Sequence, residues 1–551
     1  SLTFGDVEAL SNQIGNWSVS KGWGFGDRVA VVLGNCPEYV PLWLGFAKAG
    51  AATALINANS RGKALVHAVA AVEPAAVVFG NKHLQQGAEV AEELRNLGRE
   101  AAAVLLVSFA PRQGVEHGFC DCSLDDQIAQ ASTAPIADSI REQLTVSSPC
   151  CFVYTSGTTG LPKACVMSHA RMMVAGGILL SFLCTEDDII YGSGLPLYHS
   201  AANIGVSMCM TKGSTLVIRE KFSASSHWDD CVKYRATVMQ YIGELCRYLL
   251  AAAEKPSERA HCLRIAVGNG LRPEIWNQFQ RRFHISEIGE YYAATEGNTG
   301  LLNHCRNYQG QGAVGRGGAI WKRIKPYAIV KIDVDNEMPL RDPRTGFCIP
   351  CAQNQPGELL SLIKKVKMAN GSFDDYSGYT SGDATEKKIV RGAFHKGDAY
   401  FRTGDLLRQD EDGYFYFVDR IGDTFRWKGE NVSTMEVSEA ISVFSGVVDA
   451  TVYGVQVPNT DGRAGMVALT LQQDVVFDPV HFASHCLRQL PLYATPVFVR
   501  VLTSQIDLTS TFKHKKGEYR SQGCDPDKVG DPMWWLDTSA GAYVPYRSTD
   551  F

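Results

Sequence analysis

The chain has 551 residues, 45% apolar and 20% charged, and its 53 lysines and arginines against 58 aspartates and glutamates leave a net charge of −5. Those proportions are ordinary for a soluble globular protein and exclude collagen, a coiled coil or wholesale disorder. Slight acidity offers no basic surface for non-specific nucleic-acid binding, and the length supports roughly three or four structural units of ~100–200 residues.

The sixteen cysteines are scattered, with near pairs only at Cys120/Cys122, Cys150/Cys151 and Cys348/Cys351. No second CxxC or HxxxH stands at zinc spacing, so the reading is reduced free thiols in the cytosol rather than a metal site or a disulfide framework. No apolar run reaches the ~18–20 residues a membrane span needs. The nearest, Met172–Cys184, is expected as a buried helix. No signal peptide is visible, and the abrupt ends read as those of a fragment.

In chain order, ALSNQIGNWSVSKGW has helical spacing, and DRVAVVLGN is a short β-branched run typical of a core strand. EYVPLWLGFAKAGAATALIN repeats helix then strand, and AAVVFGN is another buried strand. Helices alternating with apolar strands imply crossover units and a mainly parallel sheet. Residues 110–148 read as a long connection, after which strand–loop–helix is expected from CCFVYTSGTTG. Further strands follow in STLVIRE, TVMQYIG and LRIAVGNG. Beyond about residue 310 the composition turns to Gly, Pro and short strands (AIVKIDV, GELLSLI, YFYFVDR), and from about Ile421 a new α+β pattern begins with VDATVYGVQV and MVALTLQQ. The fold class is therefore α/β. Residues 1–421 form a large N-terminal domain of α/β subdomains with mainly parallel sheets and a β-rich subdomain at about 310–421. Residues 422–551 form a small, mobile α+β C-terminal domain, with a hinge near Gly422.

The most informative segment is Tyr154–Lys163, YTSGTTGLPK, where a strand runs into six residues drawn only from Thr, Ser and Gly. A polyphosphate needs many short donors converging on it; glycines let backbone N–H groups turn inward and hydroxyls add donors without bulk. Lys163 supplies a point charge. The loop ends in PKA rather than GK followed by Ser or Thr, so it is not a Walker loop.

YTSGTTGLPK resembles the signature loop of the adenylate-forming superfamily: acyl-CoA synthetases, luciferases and peptide-synthetase adenylation domains. DRIGDTFRWKGENVSTMEV (Asp419–Val437) narrows the likeness to the fatty acid transport protein / very long-chain acyl-CoA synthetase family. LPLYHSA (Leu195–Ala201), QYIGELCRYLL (Gln240–Leu250), VGNGLRP (Val267–Pro273) and FKHKK (Phe512–Lys516) resemble it too, so the likeness covers essentially the whole chain.

The resemblance implies ATP, Mg²⁺ and coenzyme A as cofactor and co-substrates, and a fatty acid as the acyl substrate. By it, Tyr154, Thr155, Ser156, Gly157, Thr158, Thr159 and Gly160 cradle phosphate with Lys163. In YYAATEGN, Thr295 contacts the α-phosphate and Glu296 holds Mg²⁺; Gly270, Leu271, Arg272, Tyr292 and Ala293 lie on the adenine side. Asp405 of TGD takes the ribose hydroxyls and Arg420 of VDR reaches the same ribose or phosphate. Gly422 and Asp423 form the pivot between an adenylating and a thioester-forming pose. Lys428, Gly429, Glu430 and Asn431 face the CoA tunnel, while Trp427 packs. Lys513 bridges carboxylate and α-phosphate during adenylation, with Lys515 and Lys516 left to solvent. His199 lies beside the acyl pocket. No cysteine is needed as a covalent carrier.

Three residues depart from the commonest family spelling: Ala293 and Ser510 where Gly is usual, and Thr495 for a frequent Arg. They are expected to tune rate. The reading is an AMP-forming fatty acid–CoA ligase acting on long or very long chains and supporting uptake by metabolic trapping. The alternatives are a transport facilitator with little ligase activity and a bile-acid CoA ligase. No nucleic-acid partner is expected. Attachment to an intracellular membrane, active site toward the cytosol, is expected through a segment absent from this chain.

Overall fold

The computed structural model describes the whole chain except residues 98–103, 112–117, 157–161, 174–179, 319–322, 324–325, 334–335, 369–370, 375, 429, 458–459, 461, 504–515 and 548–551. It divides into two compact units: Ser1–Gly315 with Ile363–Ile389, and Arg316–Leu362 with Val390–Phe551.

The first unit contains two sheets. One comprises β1 (Arg28–Val32), β2 (Ala52–Ile56), β3 (Ala76–Gly80), β4 (Leu105–Phe109), β5 (Cys122–Ser123), β6 (Pro149–Ser156) and β7 (Pro162–Ser168), in the order β5-β4-β3-β1-β2-β6-β7. All of its pairs are parallel except β6 with β7. β2 and β3 are buried along their whole length, as short apolar runs between helices require. The second sheet comprises β8 (Ile189–Tyr191), β9 (Thr215–Val217), β10 (Val238–Ile242), β11 (Ile265–Asn269), β12 (Glu287–Ala293) and β13 (Gly300–Arg306), in the order β13-β12-β11-β10-β8-β9. Only β13 runs antiparallel. Its core includes Trp228, Trp276, Phe279 and Phe283, with the rings of Trp228 and Phe283 stacked 4.2 Å apart.

The second unit opens with an antiparallel sheet that includes Tyr327–Val330, Gly357–Leu362, Ala399–Gln409 and Tyr414–Arg420. It continues with the hairpin Phe425–Trp427/Glu430–Val432 and a five-stranded sheet built on Val447–Val455 and Ala464–Leu471. Helices Thr434–Ser442 and Pro479–Gln489 contribute Val437, Ile441, Phe482 and Cys486 to the core of this sheet.

Three expectations are corrected. The segment after YTSGTTG is the antiparallel strand β7, not a helix, because KACVMS completes a hairpin with β6. Residues 110–148 include β5 and the helix Leu124–Ala129, whose cap is the Ser123 hydroxyl, rather than a bare connection. Met172–Cys184 is not one helix among the described residues: a helix ends at Met172, and Ser181–Leu183 forms a single 3₁₀ turn with Phe182 exposed. All sixteen cysteines are free thiols, and no cluster of three potential metal ligands forms among the described residues. No helix among them is long and apolar enough to cross a membrane.

The parallel strands β10 and β11 end side by side, and Gly243 just beyond β10 lies so close to the next turn that a Cβ there would sit 1.6 Å from the Gly270 carbonyl oxygen. Gly243→Ala is therefore expected to destabilise the first unit by about 1–3 kcal/mol, as overpacking against backbone does. The check is its thermal unfolding midpoint, which should fall clearly below the parent's.

Candidate active site

In an open parallel sheet, polar groups become available at the carboxyl ends of the strands, since everything upstream is consumed by the ladder and the core. β10, β11 and β12 all end at one edge, followed by Gly243, by Gly270–Arg272 and by Ala294–Glu296. The first sheet contributes the mouth of the β6–β7 hairpin, where Thr155 stands opposite Lys163 and Ser156 opposite Pro162.

These parts are joined. The Ser200 and Thr295 hydroxyls lie 3.0 Å apart, linking the start of helix Ser200–Lys212 to the second residue after β12. The Cys165 thiol of β7 donates to the Thr295 carbonyl at 3.1 Å, and Arg171 donates to the Ala294 carbonyl at 2.9 Å. Residues 378–380 pair along the free edge of β7 through Val166 N–H to Gly378 O (2.9 Å) and Thr380 N–H to Ala164 O (3.0 Å). That pairing brings Tyr379 between Thr155 and Glu296. Burial and then the Glu296 charge push the Tyr379 hydroxyl above its usual range, while a hydrogen bond with Thr155 pulls it the other way. Lys388 Nζ lies 3.6 Å from the Glu296 carboxylate, itself mostly buried. Thr155, Tyr379, Glu296 and Lys388 thus form one polar cluster, with Thr295 and Ser200 beside it.

The remaining expected residues fall as follows. Gly157, Thr158, Thr159 and Gly160 lie outside the described residues, as do Gly429, Lys513, Ser510 and Lys515. Tyr154 does not face the loop: the period of the strand turns it into the core with Phe152, where its hydroxyl donates to the Ala68 carbonyl at 2.5 Å. Leu271 is likewise a core side chain, and only its backbone is available at the turn. Tyr292 is buried near the end of β12 and Ala293 is exposed at its last position. Gly270 has φ +81°, a left-handed conformation that suits a residue without Cβ. Arg272 reaches toward Glu244 at 4.0 Å, a carboxylate that also accepts from Arg247 Nε at 2.8 Å. His199 is the residue before helix Ser200–Lys212, its ring 4.8 Å from that of Tyr198.

In the second unit, Asp405 and Arg420 are direct cross-strand partners, with Arg420 Nε 3.9 Å from the Asp405 carboxylate. TGD is not a loop but an irregularity inside the strand Ala399–Gln409, where Gly404 adopts φ +75°. Lys428 sits at φ +53° at the tip of the hairpin ending in Glu430, and its ammonium lies 5.9 Å from the Trp427 ring, which is core. Asn431 pairs with Arg426 across that hairpin. Gly422 has open space around its Cα. Asp423 is held below the usual carboxylate range: burial opposes this, but Lys516, Arg520 and Arg420 together prevail. The expectation that Lys516 faces solvent is corrected, because its ammonium is mostly buried and bonded.

Three positioning residues carried no sequence signal. Asn35, after β1, donates to the Leu195 and Arg219 carbonyls (2.8 and 3.0 Å) and accepts from Leu197 N–H (2.8 Å), fixing the turn that leads to His199. Glu358 is fully buried; it accepts two bonds from Arg402 (Nε 3.1 Å, Nη2 2.9 Å) and one from Gly404 N–H (3.1 Å), which shapes TGD. Glu290 on β12, also without solvent access, accepts from Tyr241 OH and from Gly270 N–H at 2.5 Å. Burial pushes its carboxyl up to about 8 despite bonds from Tyr241, Gly270 and Leu271. A single Asn or Glu in an apolar segment has no period to betray it.

The fold is shared with solved structures. The anthranilate CoA ligase AuaEII in complex with anthranoyl-AMP superposes with a TM-score of 0.75 at 18% identity, covering 94% of this chain and 91% of that one. ATP-bound MatB from Rhodopseudomonas palustris gives 0.73 at 22% identity over 94% and 92%. The AMP-binding enzyme family matches residues 1–371, which defines the class. Long-chain fatty acid transport protein 1 of Rattus norvegicus is 42% identical over 98% of this chain and 81% of its own length, and protein 2 of the same species is 40% identical over 99% and 85%. The chain belongs to the long-chain fatty acid transport protein family of AMP-binding enzymes.

Glu290 also yields a stability test. Its folded-state pKa, about 8, stands above the ordinary 4.5, so the folded protein keeps a proton that the unfolded chain releases. Its contribution is therefore full below about pH 4.5 and declines as pH rises to about 8. Glu290→Gln removes that slope. The difference in unfolding midpoint between variant and parent should move in the variant's favour from pH 5 to pH 8; a constant difference refutes the assignment.

Proposed function

We propose that this chain activates long or very long-chain fatty acids in two steps, supporting fatty-acid uptake by trapping the acid as its CoA ester. It is an AMP-forming fatty acid–CoA ligase: the carboxylate attacks the α-phosphorus of ATP, the bond to pyrophosphate breaks, and the resulting acyl-adenylate is attacked by the CoA thiol with release of AMP. The observation that carries the reading is the cluster of Thr155, Tyr379, Glu296 and Lys388 at the mouth of the β6–β7 hairpin, beside Thr295.

Oxide is a poor leaving group and AMP a good one, so the chemical difficulty lies in bringing two anions together at phosphorus. In this reading Lys163 and the hydroxyls of the hairpin mouth hold phosphate oxygens, and Thr295 donates to the α-phosphate. Gly270–Arg272 and Tyr292 flank the adenine, while Asp405 and Arg420 hold the ribose. Lys513 bridges the fatty-acid carboxylate and the α-phosphate, and His199 lies by the acyl chain. Lys428, Glu430 and Asn431 serve the second step, after residues 422–551 pivot at Gly422 and Asp423. Mg²⁺ fits Glu296: one mostly buried carboxylate with hydroxyls nearby suits a cation that takes its other ligands from phosphate and water. When bound, it neutralises phosphate charge. Membrane association belongs to this reading because the relatives are named long-chain fatty acid transport proteins.

Glu296→Gln should lower AMP formation from ATP, CoA and palmitate by roughly a hundredfold or more, the scale of removing a preorganised electrostatic group, with the unfolding midpoint unchanged. Retention of full activity would remove the cluster from the chemistry. Asp405→Ala should raise KM for ATP by about tenfold and reduce the preference for ATP over 2′-deoxy-ATP, since a ribose-binding carboxylate is worth ~1.5–3 kcal/mol as a charged hydrogen bond. An unaltered preference excludes the ribose assignment. Ser510→Gly should change the adenylation rate only modestly.

A further inference from the structure

Lys516 is the first residue of helix Lys516–Gln522. Its ammonium donates to the Thr434 hydroxyl at 2.9 Å and lies 3.4 Å from Asp423. The Thr434 hydroxyl in turn donates to Asp419 at 3.3 Å, so the threonine relays between cation and carboxylate. Asp419 is 1% exposed and also accepts from the backbone N–H groups of Thr434 (2.5 Å) and Arg420 (2.8 Å). On the same helix, Arg520 binds Asp423 at 2.6 Å. The cluster thus balances two carboxylates, Asp419 and Asp423, against Lys516 and Arg520, with Arg420 beside Asp423. It ties together the end of strand Tyr414–Arg420, the turn at 421–424, the start of helix Thr434–Ser442, and the helix that begins three residues after Lys513.

A surface lysine in a basic run would contribute little and sample many rotamers. A mostly buried ammonium costs several kcal/mol to desolvate and persists only where its partners are fixed. Burial indeed pushes the Lys516 ammonium below its usual range, against the pull of Asp423 and Asp419. The partner it selects is the side chain assigned above to the pivot.

We infer that Lys516 is a positioning residue for adenylation: by clamping its helix to Asp423 and Thr434 it fixes the end of the segment bearing Lys513 relative to the pivot. This rests on the roles proposed for Lys513 and Asp423. Because Lys513 serves the first step alone, loss of the clamp costs adenylation and spares thioester formation. A purely structural role would lower both steps together.

The test measures two half-reactions of the purified protein with and without each substitution: palmitate-dependent ATP–pyrophosphate exchange, and palmitoyl-CoA formation from supplied palmitoyl-adenylate and CoA. Lys516→Met should slow exchange by about tenfold or more, because small misplacements of a reacting group are costly, and leave thioester formation within about threefold. Lys516→Arg should recover much of the exchange. Thr434→Val, which removes the hydroxyl but leaves every charge paired, should show the same one-sided loss in smaller measure, and decides the matter if Lys516→Met does not fold. Equal losses in both half-reactions, or none in either, overturn the inference. Lys513→Ala separates the two levels: if it keeps exchange, the assignment of Lys513 falls and the inference with it. If it loses exchange while Lys516→Met and Thr434→Val do not, the clamp alone is wrong.

Discussion

A carboxyl group with no access to water ties together the ends of three neighbouring strands. Glu290 of β12 takes the Tyr241 hydroxyl from β10 and the N–H of Gly270 just beyond β11. Burying a polar carboxyl group without partners is expensive, and only donors already held in place can compensate. The geometry of the turn Gly270–Arg272 follows from that demand: Gly270 must be left-handed, and Gly243 must lack a side chain to let the turn approach. Ala294–Glu296 begin four residues further along β12, so the same anchor sets where Thr295 and Glu296 emerge.

The second unit uses the same device at Glu358, where Arg402 and the Gly404 amide surround a buried acid and bend the strand that carries Asp405. In both cases the group assigned to the nucleotide keeps some solvent access and the group that shapes its backbone has none. Geometry is thereby paid for in the core, away from competing water. Asn35 does the equivalent with neutral bonds, holding the turn before His199 by its two carbonyls and one amide.

Much of this was legible in the sequence because short, mostly apolar runs, as in β1, β2 and β3, admit few readings when helices separate them. The TSGTTG string stands out because short polar residues gather where no core needs them, whereas TE and TGD take their meaning only from the family resemblance. What failed was directional. Tyr154 sits inside the signature string yet faces the core, since strand alternation, not motif membership, decides where a side chain points. A helix is expected after the TSGTTG loop, and only the pairing of KACVMS with β6 and with residues 378–380 makes it a strand. Lys516 looked like one cation among several in FKHKK, and only its distant partners Asp423 and Thr434 distinguish it. Interactions spanning some ninety residues leave no local trace.

The course of the chain between the two units has a practical consequence for dissecting the protein. It passes from the first to the second after Gly315, returns after Leu362, and leaves again after Ile389. No single cut separates the units into two contiguous pieces. A truncation at residue 371, where the family match ends, would divide the returning segment and take Tyr379 and Lys388 away from Glu296. It would also strip the free edge of β7 of the backbone that covers it, leaving unpaired amide and carbonyl groups ready to recruit a strand from another molecule. A fragment drawn to the boundaries of sequence similarity would thus be prone to aggregate, whereas a two-piece complementation design would need to carry residues 363–389 with the first unit.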